Sequence, residues 1–127
     1  MAIVRMALRI LLSLPLAAFF AFVGWMKASA PVETLAQHGA WTVRIPEPLG
    51  RAVGVSEIVC ALLLLGGLLP GRARVGAASA MILIVNQMIA AAVHASAGEG
   101  HALPQNAVLI AALALVAWLS RRYFSVR

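Results

Sequence analysis

A single acidic side chain interrupts a long apolar stretch of this 127-residue chain. Glu57 is the only charged residue between positions 52 and 69. An ionised group inside a membrane helix costs about 2.5–3.5 kcal/mol on insertion scales, so it normally faces the interior of a bundle and serves a function. The chemistry to expect of Glu57 is therefore an ion pair with a nearby cation, or a polar contact to a bound ligand.

Further polar residues fall at a similar depth. The second apolar stretch is entered at Arg51, and the helical rise from there places Glu57 about 9 Å deeper. The end of the first stretch, the far half of the third and the first loop supply more polar groups. The candidate ligand-binding or ion-pair cluster comprises Lys27, His38, Trp41, Arg51, Glu57, Asn86, Gln87 and His94. The pattern predicts a polar cavity or an ion-pair network that opens to the outer side of a bundle.

A purely structural interpretation of the same residues stays open. In it, Lys27 or Arg51 neutralises Glu57 and clamps the first two membrane spans together. Asn86 and Gln87 then make hydrogen bonds between helices, which is the commoner role of amides in membrane spans. One cluster can serve both purposes.

Several kinds of chemistry are disfavoured by the residue types present. The chain has one cysteine, Cys60, whereas quinone reductases that work through thiols need a pair for disulfide exchange. We expect Cys60 to be a small buried hydrophobe. His38, His94 and His101 show no metal-ligand spacing, so no metal is predicted. A Ser-His-Asp set is excluded because the chain has no Asp, and no catalytic residues are predicted.

The composition decides which elements must position these residues. With 63% hydrophobic and 11% charged residues and a mean hydropathy of +0.97, the chain is predicted to be an integral membrane protein. Four segments are long and apolar enough to span a bilayer as helices: residues 10–26, 52–69, 75–93 and 103–119. They predict one all-α domain over residues 1–127, an up-down four-helix bundle. Pro31 and Gly39 bound a predicted short surface helix, Pro31 to His38, in the first outer loop.

The basic residues predict the orientation of the bundle. One face carries Arg5, Arg9, Arg72, Arg74, Arg121, Arg122 and Arg127. The positive-inside rule then places both termini in the cytoplasm, and we expect a bacterial inner (plasma) membrane. The first span also resembles a secretory signal that ends at a cleavage site, Ala28-Ser29-Ala30. The residues Trp25 to Lys27 are unusual immediately before such a site, so we expect the first span to stay in the mature protein. The net charge of +6 reflects this topology, and no nucleic-acid partner is expected because the basic residues form no patch.

Two motifs resemble the DoxX-like family of small four-helix membrane proteins. The first is Gly24-Trp25-Met26-Lys27, at the end of the first span. The second is R-x-x-G-x-x-E, here Arg51, Gly54 and Glu57, in a Leu-rich segment that ends at Pro70. Cys60 departs from the pattern, because members commonly have a glycine there, and this puts tight packing at that point in doubt.

The resemblance implies a function in a membrane redox system. Relatives include small subunits of quinone-linked thiosulfate oxidation, components of complexes that handle thiol stress, and assembly chaperones. We therefore expect an accessory subunit, not a stand-alone enzyme, with a pocket for a quinone or similar lipophile in the outer half of the bundle. Its expected partners are the lipid bilayer, subunits of a redox complex and further copies of the chain. The alternative is a non-enzymatic assembly or interaction protein for a larger membrane complex.

Overall fold

A computed structural model describes residues 1–121, and their regular secondary structure is helical throughout. The α-helices are α1 (Ala2–Ser29), α2 (Val32–Gln37), α3 (Glu47–Gly66), α4 (Ala73–Ser96) and α5 (Leu103–Ser120). Two 3₁₀ helices cover Trp41–Arg44 and Gly100–Ala102. The prediction of an all-α chain is confirmed. Arg122 and Arg127, which entered the orientation argument, lie outside the described residues.

Four of the helical segments are long and apolar enough to cross a membrane: Ala2–Ser29, Glu47–Gly66, Ala73–Ser96 and Gly100–Ser120. Together with the composition, they make the chain an integral membrane protein. The first helix starts at Ala2, well before the predicted span at Ile10, and includes Arg5 and Arg9. The third helix starts at Glu47, and Pro48 in its first turn is tolerated because the amide it lacks has no helical partner there.

The long helices pack in two close pairs, α1 with α3 and α4 with α5. Smaller contacts of α3 with α4 and of α1 with α5 complete the assembly. The buried core contains residues from all four: Leu16, Ala17, Phe20, Cys60, Ala61, Leu64, Ala80, Leu83, Leu113 and Val116. Many large apolar side chains remain on the outside, as expected of a surface that faces lipid.

The α1–α3 pair is unusually close at one crossing. A Cβ added at Gly24 would lie 2.7 Å from the carbonyl oxygen of Gly54, and one added at Gly54 would lie 2.6 Å from the backbone nitrogen of Ala28. Neither position has room for a side chain, so the two glycines let the backbones touch. This crossing sets the separation of the side chains one turn away on each helix.

The first connecting segment folds back over the end of the bundle. Gly39, with φ of +70°, ends α2, and the amide of Ala40 donates to the carbonyl of Leu35. The side chains of Leu35 and Trp41 are thereby buried, each about 5% exposed. We call the end of the bundle near residues 30–46 and 97–102 the loop end.

Candidate functional site

Glu57 pairs with Lys27 at the crossing of α1 and α3. The Nζ atom of Lys27 lies 2.6 Å from Oε1 of Glu57, and the side chains are 9% and 0% exposed. The pairing follows from local geometry, because Lys27 lies one helical turn after Gly24, and Glu57 lies three residues after Gly54. The second carboxylate oxygen of Glu57, Oε2, is buried without a hydrogen-bond partner among the described residues.

Arg51 does not share in this pairing but holds the end of α1. Its Nη1 donates to the carbonyl of Lys27 at 2.9 Å and also to the carbonyl of Ala30. Its Nη2 donates to Glu47 at 3.1 Å, one turn earlier on α3. The last carbonyls of a helix have no helical partners, so a guanidinium placed there satisfies them and favours the helix dipole. Arg51 is thus a cap for α1, and within residues 1–121 Lys27 is the cation that pairs with Glu57.

A cavity of about 270 Å³ lies beside this pair, at the loop end. Its residues come from α1 (Phe19, Phe22, Val23, Met26, Lys27), the first loop (Leu35, His38, Gly39, Ala40, Trp41), α4 (Gln87, Ala90, His94) and α5 (Gln105, Asn106, Leu109). The volume suits one substituted ring, since pockets for drug-sized ligands start at about 300 Å³. Phe22 is 65% exposed, so the cavity reaches the lipid-facing surface beside it.

Two buried polar atoms on this cavity lack a partner within the described part of the chain. They are Nε1 of Trp41 and Oδ1 of Asn106, whose residues are 5% and 7% exposed. The side-chain nitrogen of Asn106, Nδ2, donates a hydrogen bond to Oε1 of Gln87 at 2.8 Å. A buried donor or acceptor left unpaired costs about 1–3 kcal/mol, so a polar group that reached either atom would recover part of that cost.

The ammonium group of Lys27 lies 5.7 Å from the centre of the Trp41 ring. At that distance the cation is attracted to the face of the indole. The contact connects the ion pair to the cavity wall, because Trp41 and Lys27 both line the cavity whereas Glu57 does not.

The loop-end wall contains a second charged group of residues. Nδ1 of His94 lies 3.2 Å from Oε1 of Glu99, and Nε of Arg44 lies 3.2 Å from the same oxygen. The hydrogen bond from Arg44, and then that from His94, lowers the pKa of Glu99 below its ordinary value. Arg44 comes from the first connection and Glu99 from the last, so this group joins the two loops.

The structure brings five of the eight predicted site residues to one cavity: Lys27, His38, Trp41, Gln87 and His94. Glu57, Arg51 and Asn86 do not line it. Asn86 is half-buried, and its side-chain nitrogen has no partner among the described residues. His38 is exposed, with Nδ1 placed 2.9 Å from the carbonyl of Thr34.

A smaller cavity of about 200 Å³ lies under the first loop and is lined by Lys27, Leu35, Thr42, Gly50 and Arg51, among others. The hydroxyl of Thr42 is buried there without a partner in the described chain. Lys27 and Leu35 line both cavities and so separate them.

Sequence reasoning missed three polar residues. Asn106 is one of two adjacent amides, with Gln105, at the start of the fourth apolar stretch, and the sequence analysis does not use this signal. Glu99 lies in a short Gly-flanked loop, and nothing in its neighbours predicts contact with Arg44. The sequence predicts Arg9 only as a cytoplasmic topological charge, but it is 3% exposed and donates to the carbonyl of Gly67 at 2.8 Å.

Over residues 1–121, no group of three or more His, Cys, Asp or Glu side chains is arranged to hold a metal ion. Cys60 is buried in the core, packed with Ala61 and Leu64. The tight α1–α3 packing occurs despite Cys60, because the closest approach is one to two turns away, at Gly54.

Comparison with known proteins gives one family. The model of the DoxX-like family matches residues 11–117, nearly the whole chain. No curated protein and no solved structure gives a significant match. The matched range contains both motifs that meet at the α1–α3 crossing, and all the residues of the larger cavity.

Proposed function

The chain belongs to the DoxX-like family, and on that premise we propose that it binds a quinone, or a similar lipophile with a polar head, in the larger cavity. It would do so as an accessory subunit of a membrane redox system, with the chemistry of electron transfer supplied by its partners. The polar head lies among Trp41, Asn106 and Lys27, and the apolar part lies against the phenylalanines of α1.

One observation carries this proposal: two residues that line a mainly apolar cavity, Trp41 and Asn106, each have a buried polar atom without a partner among the described residues. Nε1 of Trp41 is a donor and Oδ1 of Asn106 is an acceptor. A small number of placed polar groups in an apolar cavity is typical of sites for lipophilic ligands. The exposed edge at Phe22 gives such a ligand a path from the bilayer.

The proposal includes the topology of the chain. We place the four spans as an up-down bundle, with α2 on the outer surface and both termini in the cytoplasm of a bacterial inner membrane. Two contacts support this: near its start α1 meets Gly67 through Arg9, and near its end it meets Glu57 through Lys27, as expected of antiparallel helices. The exposed Arg72 immediately precedes α4 and the exposed Arg74 lies in its first turn, at the end opposite the loop end.

Binding of a short-chain benzoquinone to the purified full-length protein in detergent tests the proposal. Trp41→Phe removes the N–H donor and keeps a smaller aromatic ring beside Lys27, so the Kd should rise about five- to tenfold, the equivalent of about 1–1.4 kcal/mol. The matched control is Trp25→Phe, because Trp25 is 58% exposed and does not line the cavity. If the wild-type protein does not bind the probe, or if both variants bind like it, the site is wrong.

A second candidate is a non-enzymatic assembly or interaction protein, and one observation favours it. Glu57 lies outside both cavities and pairs with Lys27 at the tight glycine crossing, which is a complete structural role. Under this candidate, Glu57→Gln lowers abundance or complex assembly, and no lipophile co-purifies with the wild-type protein. Mass spectrometry of the lipophilic extract separates the two candidates.

A further inference from the structure

His94 connects the larger cavity to the aqueous side of the loops. Its side chain is 9% exposed and lines the cavity, while its Nδ1 atom contacts Glu99. Glu99 is 23% exposed, and its other partner, Arg44, is 48% exposed. The three residues form a chain of polar contacts that leads from the surface to the cavity wall.

The contact with Glu99 fixes which nitrogen of His94 carries a proton. Glu99 remains a carboxylate at neutral pH, because its hydrogen bonds with Arg44 and His94 lower its pKa. A carboxylate only accepts hydrogen bonds, so Nδ1 of His94 must be the donor. In the neutral ring, Nε2 then has the lone pair and can act as a base. A carboxylate that orients a histidine in this way also stabilises the imidazolium that forms when the ring takes up a proton.

Two residues that line the same cavity have donors that favour a negatively charged oxygen. They are Lys27, through its ammonium group, and Trp41, whose buried N–H has no partner among the described residues. Donors held in place in a poorly hydrated site stabilise an oxyanion more strongly than water does. The cavity therefore combines a base for a proton with donors for the anion that remains.

We propose that the larger cavity binds an ionisable hydroxyl head, as in a phenol or a hydroquinone, and that His94 takes its proton. This rests on the proposed function and narrows its ligand to the acidic, reduced form. The O–H bond of the head breaks, an N–H bond forms at Nε2 of His94, and the oxyanion is held by Lys27 and Trp41. The proton stays on the imidazolium until the ligand leaves or until it passes to water along the loop end.

The charged and titratable groups around His94 are few. Glu99 faces it from the last connection, Arg44 from the first, and Lys27 from α1 across the cavity. His38 also lines the cavity but is exposed to solvent. The side chains that α5 contributes to the cavity, Gln105, Asn106 and Leu109, are uncharged.

A chromogenic phenol tests the proposal directly. The probe is an alkyl-substituted nitrophenol, whose phenol and phenolate forms absorb at different wavelengths. It is added to the full-length protein in detergent one pH unit below its own pKa, where the free probe is about ten to one protonated. The bound probe should show mainly the phenolate band, although the solution favours the phenol.

Variants of the two histidines that line the cavity, His94 and His38, show which of them accepts the proton of the phenol. His94→Asn keeps a donor towards Glu99 but has no base, so the bound probe should return to the phenol band. His38→Asn is the matched control and should leave the phenolate band unchanged. Binding of the corresponding nitroanisole, which has no acidic proton, should be the same in both variants and shows that they are folded.

The outcomes separate this inference from the proposed function. If neither the phenol nor the anisole binds to the wild-type protein, the cavity is not a lipophile site and both are overturned. If both bind but the bound phenol stays protonated, or if only His38→Asn removes the phenolate band, the proton-transfer role of His94 is wrong and the binding site stands.

Discussion

Replacing Lys27 should destabilise the bundle more than replacing Glu57, its partner in the buried ion pair. At a separation of 2.6 Å and an effective dielectric constant of about 20, the attraction is about 6 kcal/mol before desolvation is subtracted. Lys27→Met leaves a fully buried carboxylate without its cation. Since breaking one side of a buried pair typically costs about 3–5 kcal/mol, we expect a loss in that range.

The reverse change should cost less. In Glu57→Gln the remaining ammonium of Lys27 still lines both cavities and lies against Trp41, so it keeps polar surroundings. We expect a loss of about 1–3 kcal/mol, typical of one broken buried hydrogen bond. The double variant removes both charges and should be no less stable than Lys27→Met alone, because no buried charge remains.

Reversible unfolding in mixed detergent micelles, followed by far-ultraviolet circular dichroism, measures these free energies. Glu47→Gln is the matched control: Glu47 is 61% exposed in its pair with Arg51, so we expect less than about 1 kcal/mol. Strictly additive losses in the double variant would show that the two side chains are not coupled. A loss for Lys27→Met no larger than that for Glu47→Gln would refute the claim that Glu57 needs its cation.

Two further predictions concern the crossing and the loops. Gly54→Ala should lower the free energy of unfolding by about 1–3 kcal/mol or more, because its Cβ would lie 2.6 Å from backbone atoms of α1. Gly66→Ala is the control in the same unfolding assay. Its Cβ would meet nothing within 4 Å, so the change should be neutral or slightly stabilising. Glu99 has a pKa lowered by Arg44 and then by His94, so it stabilises the fold above its ordinary pKa of 4.5, and this contribution is lost as the pH falls through the lowered value. The Tm of the wild-type protein should therefore fall more steeply below about pH 4.5 than that of Glu99→Gln; equal slopes would contradict the ion-pair assignment.

Helix geometry explains why part of the site was predictable. The spacing of Gly24 and Lys27 on one helix, and of Gly54 and Glu57 on the other, places each pair on one face. Burial of one carboxylate in an apolar helix then demands a cation at equal depth, and Lys27 meets that need. Arg51 was an equally good candidate from depth alone, and only the structure shows that it caps α1 instead.

The missed residues depend on how the loops fold, which helical periodicity does not determine. Arg44 and Glu99 are far apart in sequence and meet because the 3₁₀ turn after Trp41 brings the first connection against α4. The importance of Asn106 depends on its hydrogen bond to Gln87 across the α4–α5 pair, which the sequence does not reveal. Arg9 is buried, and its guanidinium donates to Gly67 at the end of α3 and to Ser120 at the end of α5, contacts that the sequence does not predict.

Lys27 belongs both to the ion pair and to the cavity wall. One face neutralises Glu57 at the crossing that both family motifs create, and the other face forms part of the cavity wall next to Trp41. A ligand that accepts a hydrogen bond from Lys27 would therefore act on the same ammonium that stabilises α1 against α3. Ligand binding should then stabilise the bundle, and the stabilisation should be smaller in Glu57→Gln, where Lys27 no longer links the cavity to α3. The smaller stabilisation corresponds to a weaker Kd in Glu57→Gln, and an equal Kd in both proteins would show that Lys27 serves the clamp alone.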